Sequence, residues 1–95
     1  MLNLANPELK IMNEKIIKAL VEAGAVKKVK IIAEAATIYV EVSSGSEGMA
    51  ATTLKGKLKT WGSIDSAAKW VRSLGIGQAQ LDVAKWEPNQ RLLKI

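Results

Sequence analysis

The chain contains no cysteine, no histidine and no phenylalanine. Without cysteine there are no disulfides and no thiolate ligands, and the redox state of its compartment leaves no trace. Without histidine, the usual zinc and copper ligand sets, the Ser-His-Asp and Cys-His constellations and any imidazole switch near neutral pH are excluded. Aromatic rings are scarce: Tyr39, Trp61, Trp70 and Trp86 are the full complement. A core must therefore be built from Ile, Val, Leu, Ala and Met. No apolar run approaches the ~20 residues a membrane-spanning helix needs, so no membrane partner is expected. The opening MLNLANPELK lacks the basic segment, apolar core and cleavage site of a signal peptide. A bacterial-type cytoplasmic location is the default expectation.

What is present suits one small domain. Ninety-five residues, 48% of them hydrophobic, would bury roughly 60–65% of the unfolded surface. So small a chain has little room to hide that much apolar surface, which points to some of it lying at a subunit interface. The net charge of +5 is unevenly placed. Residues 1–49 carry six Lys and six Glu, which cancel. Residues 50–86 carry Lys55, Lys57, Lys59, Lys69, Arg72 and Lys85 against Asp65 and Asp82, a net +4. This asymmetry reads either as a polyanion-facing side or as a solvated lysine surface. Twelve of the fourteen cations are Lys, which argues against sequence-specific base reading, where Arg is favoured.

Local signals divide the chain into elements. Asn6-Pro7-Glu8 reads as a helix start, and Leu9, Met12, Ile16, Leu20 and Ala23 follow helical spacing, with Ile17 and Val21 widening the stripe. The spacing predicts a helix over 7–23, stopped by Gly24. Residues 26–33 and 36–42 alternate as strands, with Val29, Ile31, Ala33, Ile38, Val40 and Val42 inward. Residues 49–54 and 57–61 flank Lys55-Gly56 as a second hairpin. Ser63 caps a second helix with Ile64, Ala67, Ala68, Val71 and Leu74 buried, and Gly75 ends it, with Ile76 folding back on Val71. Residues 78–85 form a last strand with Ala79, Leu81 and Val83 inward. The expected fold is α+β, in the order αββββαβ, with two helices on one face of a mostly antiparallel sheet. Residues 1–86 form the single domain. Residues 87–95 read as a C-terminal tail, either loose or an apolar latch onto a neighbouring subunit.

Such a packing leaves one sheet face open, with Lys28, Lys30, Ile32, Thr37, Tyr39, Lys57, Lys59, Trp61, Asp82 and Trp86 on it. Lysines neutralise phosphates and rings stack on bases, the combination used by single-strand binders. Ile32, Tyr39, Trp61 and Trp86 equally suit the centre of a symmetric homodimer interface, the reading preferred here. A third reading has Trp61 and Trp86 tucked over the hairpin, covering the core edge. The tip formed by Lys55, Lys57 and Lys59 suits a phosphate backbone, or serves as an exposed turn whose lysines protect an edge strand. The DNA-binding candidates are therefore Lys55, Lys57, Lys59, Lys28 and Lys30.

Catalytic chemistry finds little support. Asp65 and Asp82 lie on different elements, and Ser43, Ser44 and Ser46 have no histidine partner. Gly45-Ser46-Glu47-Gly48 and Gly75-Ile76-Gly77 match neither a P-loop nor a dinucleotide turn. Asp65 would repel an anion from the start of the second helix. No enzymatic activity, metal or cofactor is expected.

The run from Leu54 to Trp61, then Ser63 to Val71, then Leu74-Gly75-Ile76, resembles small proteins encoded beside plasmid partition genes. These are the ParC-type partition-associated proteins, distinct from the topoisomerase subunit of that name. The similarity covers most of the chain, including Leu4 to Leu9. It implies a plasmid or mobile-element setting and an accessory role in segregation, and together with the net +4 of residues 50–86 it leads to the expectation of DNA or a partition protein as partner. The residues that carry it are turn, cap and core positions, so it assigns no DNA-contacting residue.

Overall fold

Met12 decides where the first helix begins. The computed structural model describes residues 11–45 and 47–87, and in it α1 runs over Glu14–Glu22 with Asn13 as its cap. In a longer helix the Met12 carbonyl would accept from the Ile16 amide. Here Asn13 Oδ1 takes that amide at 3.0 Å. The Met12 carbonyl instead accepts from the Thr52 amide at 2.9 Å, and Thr52 Oγ1 accepts from the Met12 amide at 3.2 Å. The expected helix over 7–23 is thus corrected at residues 11–13, while Asn6, Pro7 and Glu8 lie outside the described residues. The stripe also turns: Ile17 is fully buried and Ile16 exposed. Gly24, at φ +70°, ends the helix as expected.

Strands β1 (Lys28–Ala35) and β2 (Thr37–Ser43) pair antiparallel with Glu34 opposite Thr37. Their two-residue turn places Ala35 at φ +54°, a conformation that favours glycine. Strand β3 (Gly48–Ala50) pairs antiparallel with β2. Helix α2 (Ile64–Ser73) then carries the chain across the sheet to β4 (Gln80–Trp86), which runs parallel to β1. The sheet order is β3-β2-β1-β4. The protein has an α+β fold, with two helices and a mixed four-stranded sheet in the order αβββαβ.

Alternation puts Val29, Ile31, Ala33, Ile38, Val40 and Val42 on one face, where Ile17 of α1 and Ala67 and Val71 of α2 cover them. Ser63 Oγ accepts from the Ser66 amide at 3.1 Å and caps α2. Gly75 follows the helix at φ +92°, and Ile76 packs against the core. A Cβ on Gly75 would stand 3.4 Å from Val21 Cγ1, so the end of α2 lies close against α1.

Two expectations change here. The third and fourth strands do not form as a regular pair. Ala51 donates to the Val40 carbonyl at 2.7 Å, and Trp61 donates to the Ile38 carbonyl at 2.9 Å. Residues 52–60 are therefore an excursion inserted between two neighbouring rungs of the β2 edge. The excursion makes its own bridge, Thr52 to Leu58. The last strand, in turn, is not buried on its inner face. Leu81 lies opposite the buried Ile31, yet α2 packs mainly over β1 and β2. Leu81 stays 51% exposed and Val83 44%. Of the expected tail 87–95, only Glu87 is described, its amide donating to the Ala35 carbonyl at 2.9 Å.

Candidate nucleic-acid interface

The excursion's tip is held by one hydroxyl. Thr53 Oγ1 accepts from the Lys55 amide at 3.3 Å and the Lys57 amide at 3.2 Å. The Thr53 amide donates to the Lys57 carbonyl at 2.7 Å, and the Gly56 amide to the Thr53 carbonyl at 2.9 Å. Gly56 supplies the φ of +89° that closes the turn. Lys55 and Lys57 project from this small ring of bonds and are exposed. Lys18 pairs with Glu14, Lys69 with Asp65 and Lys85 with Glu34. None of them engages the tip lysines.

Lys59 behaves differently. Its Nζ stands 5.4 Å from the Trp61 ring centre and 5.6 Å from that of Trp70. The two rings meet at 4.9 Å, tilted by 47°, and Trp70 Nε1 donates to Glu14 Oε1 at 3.4 Å. This cluster ties the excursion to α2 and α1. Beside it Glu14, Lys15, Thr52, Thr53, Leu54 and Lys59 line a shallow cleft. Lys15 thus joins Lys55, Lys57 and Lys59 as a fourth cation on this side. The alternation of α1 alone marks Lys15 only as wet. Thr53, two residues before Lys55, is the sequence signal for the turn, since a Thr hydroxyl accepts from amides a few residues on.

Trp61 is not on the open sheet face. It bridges to Ile38, whose side chain is buried beneath the helices, and it stacks on α2. Lys59 goes with it. Trp86 follows Lys85, which pairs with Glu34 on the open face, so alternation along β4 assigns Trp86 to the helix side. The expected quartet of Ile32, Tyr39, Trp61 and Trp86 is therefore split between two faces.

Lys28, Lys30, Ile32 and Tyr39 do lie on the open face, but with carboxylates among them. Lys30 stands opposite Glu41, and Ile32 opposite both Tyr39 and Asp82. Burial raises the Tyr39 phenol above its ordinary value, and the negative charges of Glu34, Glu41 and Asp82 raise it further. A base-stacking platform here would set phosphates against three carboxylates. The excursion instead carries Lys55, Lys57 and Lys59 with no acid in its own sequence, and Lys15 and Glu14 line the cleft beside it.

Among the described residues no three His, Cys, Asp or Glu side chains gather as a metal site. The hollow beside the start of β1 is lined by Lys27, Lys28, Val29 and residues 77–80, with no acid to partner a lysine base. No helix among the described residues is long and apolar enough to cross a membrane. No family model, no curated protein and no solved structure matches this chain.

Proposed function

We propose that the protein is a non-enzymatic accessory factor of plasmid maintenance that grips the DNA backbone through the 52–60 excursion. The observation that carries this reading is the standing of Lys55 and Lys57, exposed on a braced turn and free of carboxylate partners among the described residues. Lys15 and Lys59 extend the same positive side. The resemblance of residues 54–76 to partition-associated proteins supplies the plasmid setting. Lysines on a turn contact phosphates without reading bases, so binding would be insensitive to sequence and strongly dependent on salt.

Binding to a random-sequence duplex across a salt series tests this. Neutralising Lys55 and Lys57 together should lower the slope of log K against log salt by about 1.8. Lys28→Gln with Lys30→Gln should leave it nearly unchanged. Absence of binding at low salt, or an unchanged slope in the tip variant, sinks the reading.

A second reading is favoured by the carboxylates around Tyr39 and by the apolar residues exposed on β4. It makes the chain a homodimeric interaction module with no nucleic-acid contact, or one whose contact is a partition protein. It predicts no DNA affinity at any salt concentration.

A further inference from the structure

Strand β4 ends the sheet, and no strand among the described residues pairs with its outer edge. It also carries three large apolar side chains in the open: Leu81 at 51% exposure, Val83 at 44% and Trp86 at 38%. The pairing of β4 with β1 shifts between Ile32 and Glu34, so that Asp82 faces Ile32 while Lys85 faces Glu34. In a regular strand, residues three apart point to opposite faces. This bulge puts Asp82 and Lys85 on the same one. Both line the cleft that also holds Ile32, Glu34 and Tyr39. For the same reason Leu81 and Trp86, five apart, share the helix side.

We propose that β4 pairs antiparallel with β4 of a second copy of this chain, about a two-fold axis passing between Val83 and Ala84. The four-stranded sheet then continues into that of the second copy. With the axis there, Asp82 lies opposite the second copy's Lys85 on the open face. Leu81 lies opposite the second copy's Trp86 on the helix side. Symmetry makes each contact twice. The sequence Leu81-Asp82-Val83-Ala84-Lys85-Trp86 is complementary to its own reverse only because the bulge brings positions three and five apart onto common faces.

The groups needed are at hand. Lys85 is held only loosely by Glu34, at 3.9 Å and with most of its side chain in water. Asp82 Oδ1 accepts the Ala84 amide at 3.0 Å, which occupies a donor inside the bulge, and the ion pairs Lys18–Glu14, Lys69–Asp65 and Lys85–Glu34 leave Asp82 out. Bulges and charges on an edge strand ordinarily prevent indiscriminate pairing. Here they select a register. An axis through Asp82 would set Asp against Asp, and one through Lys85 would set Lys against Lys. The surface is separate from the excursion, so this proposal does not depend on DNA binding.

Sedimentation equilibrium on the full chain tests it. The wild type should self-associate. Asp82→Lys and Lys85→Asp, each checked for an intact fold by circular dichroism, should each weaken self-association at least tenfold. An equimolar mixture of the two single variants should associate again, because every contact in the mixed dimer is an opposite-charge pair. The double swap should recover wild-type behaviour. A wild type that is monomeric at all concentrations gives β4 to another occupant and overturns the proposal. So do single variants that associate like wild type, or a mixture no better than either alone. The salt dependence of DNA binding, read on the same variants, reports separately on the excursion.

Discussion

Trp61 and Trp70 lie with their ring centres 4.9 Å apart, and the Lys59 ammonium stands within 6 Å of both. One ring comes from the β2-edge rung that closes the excursion and the other from α2. Tilted pairs of this kind add to the burial of the rings themselves. Truncating either half-buried ring to Ala should lower unfolding free energy by about 2–3 kcal/mol, read from urea denaturation. Lys59→Met keeps the aliphatic contact and removes the charge, and should cost about 0.5–1 kcal/mol. A Trp61→Ala variant as stable as wild type would show that the excursion is not anchored this way.

Thr53 should matter to the tip and little to the fold. Thr53→Val keeps the side chain's shape and removes the acceptor for the Lys55 and Lys57 amides. Hydrogen exchange at these two amides should accelerate several-fold, while global stability falls by no more than about 1 kcal/mol. If the tip lysines grip DNA, affinity should fall with the loss of their preorganisation. Unchanged exchange at both amides would contradict the role assigned to the hydroxyl.

The cap of α1 offers a direct comparison. Asn13→Ala removes the acceptor for the Ile16 amide and should destabilise by about 1 kcal/mol. Asn13→Asp should retain most of the stability, since a carboxylate both caps and favours the helix N-terminus. Equal losses in the two variants would argue that Asn13 acts otherwise than as a cap.

Ala35 carries a positive φ in the β1–β2 turn. Ala35→Gly relieves a steric penalty of about 1–2 kcal/mol, and the greater freedom of Gly in the unfolded chain offsets about 0.4–1 kcal/mol. Net stabilisation of roughly 0.5–1 kcal/mol should appear as a raised urea midpoint with unchanged slope. A destabilised Ala35→Gly would place the turn's preference elsewhere.

Tyr39 should impart an alkaline pH dependence. Its phenol is raised by burial first and by Glu34, Glu41 and Asp82 after it. The folded state then holds the proton more tightly than the unfolded one. The corresponding stability is complete below the ordinary phenol value near 10 and is lost as pH rises through the raised value. Ultraviolet titration of tyrosinate should show late ionisation in the folded protein, and Tyr39→Phe should remove this part of the pH profile. Glu41→Gln should move the Tyr39 titration back toward its ordinary position.

The parts of this fold legible in the sequence are those set by nearest neighbours. Ser63, Gly56 and Gly75 act as cap, turn and helix stop because a hydroxyl or a missing Cβ decides the matter within a few residues. Met12 was not legible as a helix breaker, since its competing partner, Thr52, is forty residues away. Alternation placed Lys59 and Trp61 together correctly but on the wrong face. Period two says which residues share a side, and only the bridge from Trp61 to Ile38 says which side it is. The exposure of Leu81 was hidden for a related reason. Its inward phase is right, but the helix layer does not reach β4.

The insertion of residues 52–60 between the Ala51–Val40 and Trp61–Ile38 hydrogen bonds has an evolutionary and practical consequence. The sheet edge on either side is closed by bonds that do not involve the intervening residues. Thr52 is tied to Met12 and Lys59 to Ala51, but between them residues 54–57 can be lengthened, shortened or exchanged for another peptide at little entropic penalty. The core would keep its register while the tip's chemistry changed. The protein is in effect a small display scaffold, and grafting a different binding loop at 54–57 should redirect what it recognises without redesigning the domain.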